Sequence, residues 1–317
     1  MRGVLVVNPH ATTTSPRVTD VLVHALADEV DLEVIRTEHR GHAAEIARRA
    51  RDEHADLVCV LGGDGTVHEA VNGLLESGPA PDGPRLAIIP GGSANVAARA
   101  LGLPADPVEA TGEILQALRE GRSRAIGLGR VTVTPWEGPT WQPRWFIANA
   151  GLGIDAEIIA AMEDDRAQGH EATPTRYLMT TIRQFLWRTD RREPALVVTL
   201  PDGEIEGVFL AIVQNTSPWT FFGSVPIAPC PDASFDTGLD LFAVRRMSFA
   251  TAMRLARRMV AGSRAGSTAR SLTVAHDVAT LTVRASRPVA IQIDGEGLGA
   301  VRNAHFAAEP AALTVVS

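Results

Sequence analysis

An apolar segment that runs without a break into a glycine-rich turn limits the fold of this chain more than any other feature. Residues 56–61 have the composition of a buried strand, Gly62-Gly63-Asp64-Gly65-Thr66 follows at once, and residues 66–76 show helical periodicity. A strand that ends in such a turn and leads into a helix is typical of an open parallel α/β sheet. Strand and helix patterns alternate over the first 125 residues. We therefore predict an α/β domain over residues 1–125.

The pattern changes after Arg124, where short strand-like segments recur between turns rich in Pro, Gly and Asp. Such spacing is typical of a mostly antiparallel sandwich. We predict a β-sandwich-like, β-rich domain over residues 126–304, interrupted by two helices near residues 176–187 and 248–260. A last apolar strand, within residues 305–317, is predicted to return to the first domain.

The glycine-rich turn has the composition of a phosphate-binding loop. Glycines let the main chain approach phosphate groups closely, and a helix N-terminus presents N–H donors to an anion. Asp64 is a carboxylate among these glycines, and a carboxylate beside phosphates indicates a bridging cation such as Mg²⁺. The alternative is a structural turn in which Asp64 or Thr66 only caps the helix.

A second loop repeats this design. Residues 88–95 leave a predicted strand, turn on Gly91 and Gly92 and enter a helix through Ser93 and Asn95. The first strand ends in Asn8-Pro9, a third turn at the same predicted edge of the sheet. Because the carboxyl ends of parallel strands form the ligand site of an open sheet, these three turns predict one nucleotide site. His68, inside the first loop motif, is expected on the helix surface.

Composition excludes several classes of function. The chain has no lysine, so all 30 of its basic residues are arginine, and neither a Walker A loop nor Schiff-base chemistry is available. A net charge of −7 argues against nucleic-acid binding. No apolar run reaches the length of a membrane span and no signal peptide opens the chain, so we expect a cytoplasmic protein.

Five motifs, in their order along the chain, resemble those of the diacylglycerol kinase catalytic-domain family, which includes bacterial lipid kinases and sphingosine kinases. The motifs are Asn8-Pro9, residues 62–69, residues 90–95, residues 149–155 and Asp294-Gly295-Glu296. The resemblance implies an ATP-binding α/β domain of the NAD kinase and phosphofructokinase type, a β-sandwich domain and an active site in the cleft between them.

The resemblance also implies roles for individual residues. Asp294 or Glu296 is implied as the base that acts on the lipid hydroxyl, with Asp64 beside the phosphates. A loop that resembles a structural Mg²⁺ site in some bacterial members places its ligands at Ser234, Asp236, Thr237 and Leu239. The residues implied to line the ATP site are Asn8, Pro9, Thr37, Gly62, Gly63, Asp64, Gly65, Thr66, Glu69, Gly92, Ser93 and Asn95.

Three departures from the family pattern bear on the metal sites and on activity. The usual lysine-containing turn after Asn8-Pro9 is absent, Val96 follows Asn95 where the family has Asp, and Thr237 stands where the structural Mg²⁺ loop has an acidic residue.

The sequence thus predicts an ATP- and Mg²⁺-dependent lipid kinase of phospholipid biosynthesis that transfers the γ-phosphate to a lipid hydroxyl, of diacylglycerol or a related lipid. The alternatives are an NAD kinase and a non-catalytic nucleotide- or lipid-binding regulator. The expected partner is a lipid substrate, reached through peripheral contact with the inner face of the membrane. Arg254, Arg257 and Arg258 are the candidate residues for this contact, and a solvated helix face is the alternative. No nucleic acid is expected, and a homodimer is one of the oligomeric states left open.

Overall fold

The computed structural model describes residues 1–11, 15–153, 194–222, 224–246 and 271–317. The chain divides into two compact units, the first formed by Met1–Leu128 with Glu309–Ser317 and the second by Gly129–Ala308. The boundary predicted from the sequence lies after residue 125. The two predicted helices near residues 176–187 and 248–260, and the three arginines of the second, lie outside the described residues.

The first unit is a parallel sheet with helices between its strands. Its sheet order is β16–β4–β3–β1–β2, with β1 and β3 paired in parallel over five residues. The last residues of the chain join this sheet, because Val315 of β16 pairs in parallel with Leu86. The elements of this unit are β1 (Arg2–Val7), α1 (Pro16–Ala27), β2 (Asp31–Arg36), α2 (His42–Asp52), β3 (Leu57–Gly62), α3 (Asp64–Leu74), β4 (Arg85–Pro90), α4 (Val96–Ala100) and α5 (Pro107–Glu120), and the end of β16 (Glu296–Val315).

The central position of β3 explains its composition. All six of its residues are buried between β1 and β4, so the segment is a continuous apolar run without polar alternation. Helices α2 and α3 pack closely where Gly73 faces the carbonyl of Ala44, since a side chain at that glycine would collide with it. The Ser15 hydroxyl caps the start of α1 by accepting the main-chain N–H of Val18.

The second unit is rich in antiparallel strands. The strand order is β14–β13–β10–β7–β15–β16, and β8 also pairs with β15. Strand β5 (Arg124–Pro135) begins at the end of the first unit and continues into the second. The other strands of the second unit are β6 (Arg144–Phe146), β7 (Asn149–Gly153), β8 (Leu196–Leu200), β9 (Gly203–Val208), β10 (Leu210–Gln214), β11 (Thr220–Phe222), β12 (Val225–Ile227), β13 (Leu239–Val244), β14 (Leu272–Val278), β15 (Thr280–Ile293) and the first part of β16.

Strand β15 organises the second unit because it pairs with three partners. Its first half pairs with β8, its last three residues pair with β7, and β16 accompanies it along most of its length. A register shift between Arg284 and Val289 separates the two halves. The core beneath includes Phe146 and Phe306, whose rings meet edge to face with centroids 6.1 Å apart.

The predicted fold class, an N-terminal α/β part followed by a strand-rich part, is confirmed. Among the described helices, none combines the length and the apolar composition that a membrane crossing requires.

Candidate active site

The turn between β3 and α3 starts a helix that has no side-chain cap. Gly63 is the N-cap residue and is extended, with φ −85° and ψ −179°. Its carbonyl accepts the main-chain N–H groups of Thr66 and Val67 at 3.0 and 3.2 Å. Because the first N–H groups of a helix lack acceptors within it, a helix start without a capping side chain is suited to an anion.

The second glycine loop packs directly on the first. The Gly91 N–H donates to the Gly62 carbonyl at 2.8 Å. A Cβ added to Gly91 would lie 2.9 Å from the Cα of Gly62, and one added to Gly92 would lie 2.7 Å from the Cα of Gly63. These approaches are too short for a side chain, so the packing of the two loops itself requires glycine. The sequence suggested only the approach of phosphate as the reason for these glycines.

Two polar side chains hold this pair of loops. Asn95, with φ +48°, closes its own loop, since its side chain accepts from the Gly92 N–H at 2.8 Å and donates to the Gly92 carbonyl at 2.7 Å. Asp64 accepts from the main-chain N–H of Ala97 in α4 at 3.2 Å. Asp64 therefore links the start of α3 to α4, and it caps α4 instead of its own helix, which was the alternative given above. Ser93, which lies between Gly92 and Asn95 in the second loop, is exposed.

The turn after β1 is fastened to the same place. Asn8 donates its side-chain N–H to the hydroxyl of Thr66 at 2.9 Å, and its main-chain N–H donates to the Leu61 carbonyl. Pro9 follows at the surface, and Thr37 begins the next loop with an N–H donated to Val7 at 2.9 Å. Asn8, Thr66 and the two glycine loops are thus in contact, and Thr37 lies one strand away.

Glu69 has a structural role within the same motif. Its two carboxylate oxygens accept the main-chain N–H groups of Gly41 and Ala43, at 2.8 and 3.3 Å. A residue of α3 therefore caps the start of α2, whose own N-cap, Gly41, has no side chain. The expectation that His68 lies on the helix surface is wrong, because this side chain is only 4% exposed. The face of α3 that carries His68 packs against the interior of the first unit.

The turn between β15 and β16 carries the two candidate catalytic carboxylates. Asp294 and Gly295 have φ +48° and +85° and join the paired residues Ile293 and Glu296 as a two-residue hairpin of type I′. Asp294 is 8% exposed, and its carboxylate accepts three main-chain N–H groups at 2.9, 2.9 and 3.0 Å, from Ile147, Ala148 and Asn149. Glu296 is half-buried.

The loop predicted to bind a structural Mg²⁺ is closed by its own hydrogen bonds. The Thr237 hydroxyl donates to the Ser234 carbonyl at 3.1 Å, and the Ser234 hydroxyl accepts the Asp236 N–H at 3.2 Å. Leu239 is buried at the start of β13. Of the four predicted ligands only Asp236 brings a carboxylate, and Ser234 is hydrogen-bonded to both Asp236 and Thr237. This donor set does not favour Mg²⁺, and the ligand set stays a prediction.

Beside that loop, a buried carboxylate meets a histidine. Asp240 accepts from the Asp277 N–H at 3.1 Å and lies 2.7 Å from Nδ1 of His276. Burial raises the pKa of Asp240, and the bonds from Asp277 and His276 oppose that rise. The Asp277 carboxylate in turn accepts the Gly238 N–H at 2.7 Å. These contacts tie the loop to β14.

Within the described residues, one group of His, Cys, Asp and Glu side chains is close enough to share a metal ion. His39, His42 and Glu45 have ligand atoms within 4.8 Å of one another. The two imidazole rings stack face to face, with centroids 4.7 Å apart and planes 9° apart. An imidazole binds a metal in the plane of its ring, so at least one of these stacked rings would have to turn before the two could share one ion.

Comparison with known proteins relates this chain to one enzyme family. The family model described as diacylglycerol kinase catalytic domain matches residues 2–131, which are almost the whole first segment of the first unit. A protein of Stenotrophomonas maltophilia named "Probable lipid kinase YegS-like" is 28% identical over 282 residues, covering 87% of this chain and 84% of its own. A diacylglycerol kinase of Staphylococcus aureus is 39% identical over 95 residues, 30% of this chain and 28% of that protein.

Solved structures agree in fold. A diacylglycerol kinase structure from Bacillus anthracis aligns with a TM-score of 0.71 at 20% identity, over 99% of this chain and 96% of the other. An NAD kinase from Archaeoglobus fulgidus aligns with a TM-score of 0.53 at 12% identity, over 100% and 94%. The resemblance predicted from the motifs is confirmed, because the model of the diacylglycerol kinase catalytic-domain family matches residues 2–131 and the relative from Stenotrophomonas maltophilia is similar over most of the chain.

Proposed function

We propose that this protein is an ATP- and Mg²⁺-dependent lipid kinase that transfers the γ-phosphate to a hydroxyl of diacylglycerol or a related lipid alcohol. The observation that carries the proposal is the contact between two glycine loops at the carboxyl ends of β3 and β4, beside a helix that begins without a side-chain cap. Main-chain N–H groups in such a setting bind phosphate oxygens without lysine.

The nucleotide is assigned to the first unit. The residues that we propose to surround its phosphates are Asn8, Gly62, Gly63, Asp64, Gly65, Thr66, Gly92 and Ser93. Asp64 fits a Mg²⁺ site, because Mg²⁺ is commonly held by one or two carboxylates together with substrate phosphates. The ion supplies charge neutralisation on the phosphates when it is bound. Asn95 and Glu69 support the loops through the hydrogen bonds described above and are not proposed to touch the nucleotide.

Between the two candidate bases, the hydrogen bonds favour Glu296. Three main-chain N–H groups occupy the carboxylate of Asp294, and the side chain is almost entirely buried. A buried carboxylate whose oxygens already accept three main-chain N–H groups is poorly placed to meet an acceptor hydroxyl and is a good anchor for the turn. We therefore assign Asp294 to shaping the turn and Glu296 to the acceptor hydroxyl.

The proposed step is a single phosphoryl transfer. Glu296 accepts the proton of the lipid hydroxyl, the oxygen of that hydroxyl forms a bond to the γ-phosphorus, and the bond from the γ-phosphorus to the bridging oxygen of ADP breaks. In such reactions the protein contributes chiefly by positioning the groups and stabilising charge. A lipid acceptor also requires transient contact with a membrane, which we propose without assigning it to any described residue.

An acceptor-dependence assay tests this proposal. We expect ADP release with diacylglycerol in mixed micelles, little release with NAD or without acceptor, and a loss of about 10²–10⁴-fold in turnover for Glu296→Gln. ATP binding by this variant should match the wild type, because its side chain is assigned to the acceptor alone. Release that responds to NAD and not to lipid, or a fully active Glu296→Gln, contradicts the proposal.

A further inference from the structure

A fully buried glutamine lies beneath the turn that carries Glu296. Gln292, near the end of β15, is 1% exposed. Its side-chain carbonyl accepts the main-chain N–H of Gly295 at 2.8 Å, and its side-chain NH₂ donates to the side-chain oxygen of Asn149 at 2.9 Å. The orientation of this amide is fixed by chemistry, because the Gly295 N–H can only donate and must therefore face the oxygen.

Asn149 closes a ring of hydrogen bonds around the turn. Its N–H donates to Asp294 at 3.0 Å, and its carbonyl accepts the Asp294 N–H at 2.8 Å. Its side-chain NH₂ donates to the Trp219 carbonyl at 3.1 Å. Asn149, Gln292, Gly295 and Asp294 thus form a closed network, three members of which are buried.

The bond from Gly295 to Gln292 selects one form of the hairpin turn. Its N–H belongs to the peptide between Asp294 and Gly295, the central peptide of the type I′ turn. In the other common two-residue hairpin turn, type II′, the second residue has negative φ and the central peptide is turned over. The side chain of Gln292 would then face a carbonyl oxygen instead of a donor. Gln292 therefore favours the turn form observed here.

We infer that Gln292 is a positioning residue for Glu296, an inference that rests on the proposed function. Glu296 follows Gly295 directly, and the bonds of Gln292 and Asn149 to Gly295 and Asp294 hold the turn from which the Glu296 side chain departs. Gln292 acts on the acceptor hydroxyl through Glu296 and touches neither nucleotide nor lipid in this account. Its loss should misplace the base while nucleotide binding persists.

The first test replaces Gln292 by methionine, which has a similar length and no hydrogen-bonding amide. We expect kcat for lipid phosphorylation to fall about 10–100-fold, as for a displaced catalytic group, with an unchanged Kd for ATP. The matched control is Gln214→Met. Gln214 is also fully buried and also bridges two main-chain groups, the N–H of Cys230 and the carbonyl of Thr216, both at 3.0 Å. We expect the melting temperature of this control to fall by an amount similar to that of Gln292→Met, and its kcat to stay unchanged.

A Gln292→Glu variant provides a conservative rescue. When its carboxyl is protonated it offers one acceptor and one O–H donor, as the native amide does, and when ionised it offers no donor to Asn149. The turnover of this variant relative to wild type at the same pH should therefore rise as pH falls. A ratio that does not change with pH, measured where both proteins stay folded, would overturn the inference.

A double mutant separates this inference from the proposed function. In a Glu296→Gln background, Gln292→Met should cause no further loss of turnover, because the group it positions is gone. If Glu296→Gln collapses turnover but Gln292→Met behaves like Gln214→Met, the proposed function stands and the inference is overturned. If Glu296→Gln retains full turnover, the assignment of the base fails and the positioning role fails with it.

Discussion

Gly62, Gly63, Gly91 and Gly92 determine how closely two loops of the first unit approach. The loops are joined by one main-chain hydrogen bond and by contacts that leave no room for a Cβ at Gly91 or Gly92. Substituting Gly63 is less severe, since its Cβ would lie 3.3 Å from the Cα of Gly92. The position of the proposed phosphate-binding N–H groups therefore depends on the second loop as much as on the first.

We predict that Gly92→Ala weakens ATP binding at least tenfold. The added Cβ would lie 2.7 Å from the Cα of Gly63, so the backbone of one loop must move. Calorimetric titration with ATP measures the effect. Gly112→Ala is the control, because Gly112 is exposed in α5 with open space around it, and alanine at a helix interior is favoured by about 0.5–1 kcal/mol. Equal ATP affinity in the two variants would contradict the loop assignment.

The sequence indicated which glycines are important, but it did not show that the packing of the two loops against each other requires glycine. The apolar strand and the glycine-rich turn predicted the β3–α3 junction, because both are local patterns. The contact between Gly63 and Gly92, the bond from Asp64 to Ala97 and the network around Gln292 join residues far apart in the chain. Periodicity and motif spacing carry no information about such pairs. In the sequence, Gln292 is only a polar residue inside an otherwise apolar strand, and no pattern indicated a role for it.

The start of α2 depends on a neighbouring helix. Gly41 cannot cap it with a side chain, and both oxygens of Glu69 from α3 accept its first N–H groups. The close packing of the two helices at Gly73 brings Glu69 within reach. Glu69 therefore acts on the stability of the first unit, although the family resemblance implied that it lines the ATP site.

We predict that Glu69→Gln destabilises the protein and leaves the Kd for ATP within twofold of wild type. One capping acceptor is replaced by an NH₂ group that faces an N–H donor, a loss of about 1 kcal/mol or more. Thermal unfolding measures it. The control, Glu76→Gln, removes an exposed ion pair with Arg48, N to O 3.2 Å, and such pairs contribute little. A tenfold weaker ATP affinity for Glu69→Gln with an unchanged melting temperature would contradict this prediction.

Among the elements, the sequence predicted β1, β3 and β4 of the first unit well because each is a compact apolar run that is almost entirely buried. It located only parts of the longest strand, β16 (Glu296–Val315), whose burial pattern changes several times along its 20 residues. Partial exposure removes the alternation on which strand prediction depends. The Asp294-Gly295 dipeptide is itself a hairpin signal, and the structure shows that hairpin in addition to any catalytic role.

Over the whole molecule, the glycine loops belong to the first unit and Glu296 belongs to the second. The family model matches residues 2–131, which include the glycine loops, while Glu296 lies outside the matched residues. The chain has no lysine, so the proposed phosphate site has to use main-chain N–H groups or arginine. The proposal that the acceptor is a lipid hydroxyl therefore depends mainly on the second unit.

The most direct measurement follows labelled γ-phosphate from ATP into product in the presence of a total lipid extract and NAD. We predict that the wild-type protein transfers label to a species that partitions into organic solvent, that the transfer needs Mg²⁺, and that Glu296→Gln transfers none above background. Label that stays in the aqueous phase on NAD, or ATP that binds tightly and transfers its phosphate to neither acceptor, would contradict the assignment of a lipid kinase.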